Sequence, residues 1–303
     1  MTDINLFHKN FFAMNTRFEV VFYNQVRYKM KTVFDEIHNC VSKIEMLLSS
    51  YDKDSEIYKI NQAYQTNTFE ISAELSQIIS RCNIYKNNTL GYFEYLFDKE
   101  IVYHDKVCYP TENGKKKNKY HEYEEKIVID NKNHKIFFPG PKYYFDFGAV
   151  GKGFALEAVD NILEKNHISN CFISFGESSI LTRGSHPHGN YWPFGLLNMQ
   201  NKKEQMGSLK LNDHAISTSA TMQNMEDQSR KYHIINPKTG QYIESKKMVC
   251  VKSESPVEAE ILSTALLVAR EDEQASILKH FDNYEIITVN YENNQPDIRR
   301  IYA

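Results

Sequence analysis

Between positions 146 and 155 the chain reads Asp-Phe-Gly-Ala-Val-Gly-Lys-Gly-Phe-Ala. Gly148, Gly151 and Gly153 follow an aromatic, strand-like run (Tyr143, Tyr144, Phe145). They precede a periodic apolar segment through Ala158, Val159, Ile162 and Leu163. Glycines at a strand-to-helix junction let the backbone approach a ligand closely. The amides that open such a helix suit an anion, and Lys152 adds a point charge beside them. A phosphate-bearing ligand fits this chemistry. A tight turn with a solvated lysine satisfies the same letters. The spacings G-x-x-x-x-G-K-[ST] and G-x-G-x-x-G are both absent, so neither a P-loop nor a dinucleotide fingerprint is present. A second pair, Glu260 and Thr264, stands at i and i+4 on a predicted helix and shares one face. Two hard oxygens on one face can meet one ion. A solvent-facing Glu and a helix-buried Thr are the other reading.

The elements that must position these residues follow from periodicity. Met30, Val33, Phe34, Ile37, Val41, Ile44 and Leu48 recur at three- and four-residue spacing, which predicts a long amphipathic helix. Leu75, Ile78, Ile79, Cys82 and Tyr85 predict a second, closed near Gly91. Alternation at Phe18, Val20 and Phe22 reads as a strand, and segments 126–130 and 134–138 read as a hairpin about Asn131, Lys132 and Asn133. A helix over 150–164 is followed, from Cys171 to Val251, by short β-rich segments broken by Gly, Pro and Asn. Helices over 257–269 and 272–281 and a late strand from Tyr284 to Val289 complete the reading. Irregular alternation with hairpins predicts an α+β fold, mostly antiparallel, with flanking helices. Neither a Pro/Ser-rich linker nor a repeat divides the chain, so residues 1–303 read as one catalytic unit with room for two lobes.

Bulk properties narrow the function classes. The chain has 303 residues, 41% hydrophobic and 25% charged, which is ordinary for a globular protein. A formal charge of −3 gives no electrostatic case for nucleic acid, and Lys115, Lys116, Lys117 and Lys119 read as a solvated loop. No window approaches the roughly 18 consecutive apolar residues of a membrane span. The first nine residues lack a basic flank followed by an apolar stretch. The expectation is a cytoplasmic protein, or an exported or lipid-anchored one whose signal was removed. Five cysteines, widely spaced and without a C-x-x-C, argue against a disulfide framework or zinc knuckle.

The 146–155 run resembles the D-L-G-[GA]-I-A-K-G-[YF]-A signature of the FAD:protein FMN transferases, the ApbE family. Further motifs occur in that family's order. Met14, Asn15 and Thr16 resemble its M-[GN]-T. Ile44 and Glu45, then residues 50–56 ending in Ile60 and Asn61, are similar to I-E-x-x-[LM]-S-x-Y-x-x-D-S-E…[LI]-N. Gly91, Tyr92, Phe93 and Glu94 resemble G-x-F-D, and residues 174–177 resemble a strand ending in Gly-Glu. Residues 192–196 resemble W-x-[VI]-G-[IL], residues 215–219 resemble A-[VI]-[AS]-T-S, and residues 233–240 resemble H-I-I-D-P-x-T-G. Residues 259–265 resemble A-D-x-L-[AS]-T-A. The chain departs at Glu94, Asn236 and Glu260, where the family has Asp, and at Ala220, where it has Gly.

The resemblance implies a T-fold-like architecture and a Mg²⁺-dependent enzyme. That enzyme splits FAD, attaches FMN to a Thr or Ser of a target flavoprotein and releases AMP. It implies Ala149 (through its carbonyl), Glu260 and Thr264 as metal ligands. Flavin contacts are implied from Met14, Tyr51, Tyr92, Phe93, Glu94, Asp146, Lys152 and Ile235. Tyr51 can stack or donate, or be a half-buried aromatic; Asp146 can accept from the cofactor, or cap the helix that follows. Lys152 and His233 are the catalytic candidates, His233 as base for the target hydroxyl. Apart from its motif, His233 reads as a surface or structural histidine. Asn236 cannot ionise and is left to hold a loop by hydrogen bonds. Two other activities use the same residues: an FAD-binding carrier or sensor without transfer, and an FAD pyrophosphatase giving FMN and AMP.

Overall fold

The structure, a computed structural model, describes residues 6–23, 27–62, 67–98, 128–130, 132–138, 143–201, 203–221, 234–243, 245–291 and 296–303. His233 and the lysine-rich stretch at 115–119 lie outside the described residues. The chain divides into two compact units. The first holds residues 1–45, 150–234 and 243–303, and the second holds 46–149 and 235–242.

An eight-stranded sheet forms the first unit. Its spatial order is Leu6–Ala13, Thr16–Tyr23, Cys171–Phe175, Ser179–Arg183, Ala215–Ala220, Lys247–Ser253, Glu285–Asn290 and Asp297–Tyr302. Every neighbouring pair is antiparallel. Successive side chains take opposite faces, so each face gathers its own core. On one face Phe18, Val20, Phe22 and Ile173 pack with Met30, Val33 and Ile37 of helix Arg27–Leu48 and with Leu156, Val159 and Leu163 of helix Gly151–Lys165. On the other, Ile180, Ile216, Met248 and Ile287 pack with Trp192, Leu196 and Leu209 of the hairpin Trp192–Leu197 and Gln205–Leu211.

Helix Pro256–Val268 is buried over most of its circumference, which explains its lack of a clean amphipathic stripe. Ser255 caps it by accepting from the Glu258 N–H at 3.3 Å, and Pro256 occupies the first turn, where no N–H is needed. Helix Gly151–Lys165 meets it closely. A Cβ on Gly153 would stand 2.9 Å from Val257 Cα and 3.0 Å from the Pro256 carbonyl oxygen, so only glycine fits there.

The second unit combines helices Glu56–Asn61 and Ala73–Asn88 with small antiparallel sheets, among them the strand pair Ile235–Asn236 and Gln241–Tyr242. Another pairs Leu96–Asp98 with Tyr143–Phe145; a third orders Asn67–Glu70, Lys135–Phe138 and Val128–Asp130. Ser55 and Ser72 cap the two helices, and the Glu56 carboxylate accepts from both the N–H and the hydroxyl of Ser72. Leu90 and Gly91, both at positive φ, end the longer helix, with the Gly91 N–H donating to the Lys86 carbonyl at 2.8 Å. Asn61 is fully buried and serves as a surrogate strand for Phe145: its Nδ2 donates to the Phe145 carbonyl at 2.9 Å and its Oδ1 accepts the Phe145 N–H at 2.7 Å.

The α+β reading with a large antiparallel sheet and flanking helices holds. Strands Leu6–Ala13 and Asp297–Tyr302 and the short helix Glu56–Asn61 were not foreseen. Asn61→Leu removes both hydrogen bonds that the Phe145 backbone makes to this side chain, costing about 0.5–1.5 kcal/mol for each. Denaturant unfolding checks this, and an unchanged midpoint would dismiss Asn61 as an anchor of the strand that leads into residues 146–149.

Candidate functional site

The two sequence features that suggest chemistry, Lys152 and Glu260, meet in the first unit. Lys152 Nζ lies 2.8 Å from Glu260 Oε1. The same oxygen accepts the Ser179 hydroxyl at 2.5 Å, and Oε2 accepts the Gly153 N–H at 2.9 Å. Glu260 is only 2% exposed, whereas the Lys152 side chain keeps 23% of its surface in solvent. The helix start at Gly151 therefore does meet an anion, as its amides suit, but that anion is a side chain of the same protein. The solvent-facing reading of Glu260 is excluded.

A run of hydroxyls begins one turn along the helix that carries Glu260, where Ser263 Oγ lies 3.0 Å from the Glu260 backbone carbonyl oxygen. Ser219 Oγ is 3.0 Å from Thr264 Oγ1 and 2.9 Å from Ser263 Oγ, and Ser263 Oγ donates to Ser217 Oγ at 3.1 Å. Ser217 and Ser219 come from strand Ala215–Ala220 and Ser263 and Thr264 from helix Pro256–Val268. Ser179, Ser217, Ser219 and Ser263 were missed from sequence. Alternation along the Ala215–Ala220 strand puts Ser217 and Ser219 on one face, and could have singled them out.

Met14 sits elsewhere in the first unit, in the two-residue turn that joins Leu6–Ala13 to Thr16–Tyr23. Met14 and Asn15 both have positive φ, the conformation that matches hairpin twist, and the Met14 N–H donates to Glu45 Oε1 at 2.7 Å. The loop at Gly176 abuts this turn: its N–H donates to the Arg17 carbonyl, and a Cβ there would meet Thr16 Oγ1 at 2.8 Å.

The remaining described candidates belong to the second unit. Tyr51 is 79% exposed. Tyr92 and Phe93 are buried, and Lys238 Nζ stands 3.8 Å above the Tyr92 ring as a cation–π contact. Glu94 is consumed locally: Oε1 accepts the N–H groups of Tyr95 and Leu96, and Oε2 pairs with Lys86 at 2.7 Å. Asp146 Oδ1 accepts the Gly148 N–H at 2.7 Å. Burial pushes the Asp146 carboxyl above the usual aspartate range, partly offset by that bond. Ala149, half-buried, is the last residue of this stretch. Ile235 and Asn236 pair with Tyr242 and Gln241; Asn236 Oδ1 accepts the Lys238 N–H at 2.9 Å, while its backbone carbonyl accepts those of Thr239 and Gly240. It holds the turn, as expected of a side chain that cannot ionise.

The ApbE family profile matches residues 14–288. The chain belongs to the ApbE family. Among ApbE relatives, the FAD:protein FMN transferase of Escherichia coli (strain K12) is 23% identical over 257 residues, spanning 81% of this chain and 73% of that protein. The one from Haemophilus influenzae is 24% identical over 259 residues, 80% and 74% respectively. The solved flavin transferase ApbE from Vibrio cholerae superposes with a TM-score of 0.80 at 20% identity, covering 98% of this chain and 97% of that one. The apo flavinyl transferase ApbE from Pseudomonas stutzeri gives 0.76 at 17% identity, covering 98% and 94%. The ApbE fold is thus present along nearly the whole chain.

The donors around Glu260 fit the Mg²⁺ that the resemblance implies. One carboxylate and a set of hydroxyls are hard oxygens, and Mg²⁺ uses one or two carboxylates while keeping several waters. Among the described residues no group of three His, Cys, Asp or Glu forms an all-protein cage. Three of the roughly four lone-pair positions on Glu260 are already used by Lys152, Ser179 and Gly153.

Glu260→Gln strands the Lys152 ammonium. Breaking a buried pair costs about 3–5 kcal/mol, and partial solvent access to the lysine places this one at the lower end. Equal unfolding midpoints for the two proteins would show that the pair is not structural. Asp146 titrates with the opposite consequence. Its raised folded-state pKa means its contribution to stability is full below the ordinary aspartate range and lost as pH rises through the folded value. Asp146→Asn should therefore be more stable than the parent at pH 7 and lose that advantage at about pH 4, the ordinary aspartate value. A difference independent of pH would contradict the burial argument.

Proposed function

We propose that this ApbE-family protein is an FAD:protein FMN transferase. The observation that carries the reading is the pairing of Lys152, from the 146–155 signature, with Glu260, from the 259–265 signature, within one unit. Two motifs about a hundred positions apart in the chain supply a cation and an anion to the same point. The family match to residues 14–288 supports the substrate class.

In this reading FAD is the donor and a Thr or Ser hydroxyl of a target flavoprotein is the acceptor. The hydroxyl oxygen bonds to the phosphorus of the FMN half, the bond from that phosphorus to the bridging oxygen breaks, and AMP leaves with the electron pair. His233 takes the hydroxyl proton, a role suited to its ordinary pKa. Lys152 can hydrogen-bond an anionic phosphate oxygen when it leaves Glu260. Glu260 and Thr264 would hold Mg²⁺, which when bound supplies neutralisation of phosphate charge. In the second unit, exposed Tyr51 offers a stacking face, buried Tyr92 and Phe93 offer apolar support, and Asp146 offers an acceptor. Ile235 and Glu94 shape their own turns, so their contribution to flavin binding is apolar contact and support. The resemblance also implies a flavin contact from Met14.

A second reading, an FAD-binding protein without transfer, draws on one observation: Glu260 is already neutralised. A pyrophosphatase would use water in place of the hydroxyl. Incubation with FAD, Mg²⁺ and a threonine-bearing target distinguishes the three. Transfer gives AMP together with an FMN-sized mass increase on the target; hydrolysis gives AMP alone; a carrier gives neither. The expected result is the first, with His233→Ala abolishing transfer while FAD binding by titration stays nearly intact. Transfer at the parent rate in His233→Ala would remove that residue from the mechanism.

A further inference from the structure

The geometry points to Lys152 as a displaceable plug in the Glu260 carboxylate. Its ammonium occupies the position a divalent cation would take, so that cation binding and lysine release are one event. The inference rests on the metal reading of Glu260 given above. Glu260 Oε1 carries both Lys152 Nζ, at 2.8 Å, and the Ser179 hydroxyl, at 2.5 Å, while Oε2 carries the Gly153 N–H at 2.9 Å. The Gly153 donor is a helix backbone amide, and Ser179 is a short, fully buried side chain on a strand. Lys152 is different: its bond is made by the end of a flexible stem, part of which is in solvent. Of the three donors it alone reaches solvent, so it can leave the carboxylate and be hydrated without moving an element.

Two cations on one carboxylate repel each other, and little lone-pair capacity remains for a second. An incoming ion therefore meets a site that is competent only in the fraction of molecules whose lysine is away. Apparent affinity falls by that fraction, so a pair formed in about nine molecules of ten weakens cation binding about tenfold. Linkage gives the converse. An oxyanion that draws Lys152 away raises cation affinity, and the cation frees Lys152 for the oxyanion by the same factor. The plug thereby couples a phosphate group and a metal that need not touch.

The test uses the full chain and Mn²⁺, titrated with electron paramagnetic resonance of the free ion as readout. Lys152→Met should bind Mn²⁺ about tenfold or more tighter than the parent. Lys152→Arg, which keeps a cation on the carboxylate, should stay weak, and Lys152→Met combined with Glu260→Gln should lose the site. Independently of any variant, saturating Mg²⁺ should speed modification of Lys152 by an amine-acylating reagent, read by peptide mass. Lys86, paired with Glu94 in the other unit, should be unaffected. If Lys152→Met binds Mn²⁺ as the parent does, or more weakly, the plug is refuted and the metal reading survives. Unchanged Lys152 labelling while Mn²⁺ binds through Glu260 refutes it equally. If neither parent nor Lys152→Met binds the ion, the metal reading itself fails and takes the plug with it.

Discussion

A buried carboxylate is the constraint around which the first unit is arranged. Ionised Glu260 inside the protein would be prohibitively costly unless paired and hydrogen-bonded. Its three partners come from the first turn of helix Gly151–Lys165 (Lys152 and Gly153) and from strand Ser179–Arg183 (Ser179), while Glu260 itself belongs to helix Pro256–Val268. The helices must approach closely for the Gly153 amide to reach it. That approach is possible only because position 153 has no Cβ to strike Val257. The glycine, the lysine and the glutamate are thus parts of one device, and changing one alters the working conditions of the others.

This changes the meaning of the glycines. In the sequence they read as room for a ligand. Gly153 in fact makes room for a neighbouring helix, and a Cβ on Gly148 would stand 3.0 Å from Asp146 Oδ1, so that glycine serves the Asp146 turn. Sequence spacing says that a backbone must come close to something without saying to what. The same ambiguity applies to Glu94. Its place in a flavin motif and its use as an acceptor for Tyr95 and Leu96 are both consistent with the letters, and only coordinates reveal that Lys86 and those two amides take both oxygens.

What was legible follows a physical rule. Helices Arg27–Leu48 and Ala73–Asn88 bury one stripe, so their periodicity survives in the letters. Strand Asp297–Tyr302 lies at the sheet edge with every residue exposed or half-exposed, and exposure erases alternation. Helix Glu56–Asn61, at six residues, is too short for a period and is defined by its Ser55 cap. In the site, charged residues within distinctive motifs were legible. The serines were not, because a hydroxyl is at home in turns, caps and cores alike.

The resting site has a property that the individual residues lack. Lys152 and Glu260 cancel, and the adjoining Ser217, Ser219, Ser263 and Thr264 hydroxyls carry no charge, so the cluster is electrically neutral as it stands. A lone anion that captures the lysine leaves a buried carboxylate uncompensated. A lone cation on the carboxylate leaves an ammonium without its partner. Either event incurs the desolvation penalty that the pair was built to avoid. When an anion and a cation arrive together, each charge is exchanged for a new partner and none is left bare. In the proposed exchange, neutrality at rest selects against single ions and in favour of a matched pair, such as a phosphate accompanied by a divalent cation. The same pair that makes the fold tolerable makes the site discriminating.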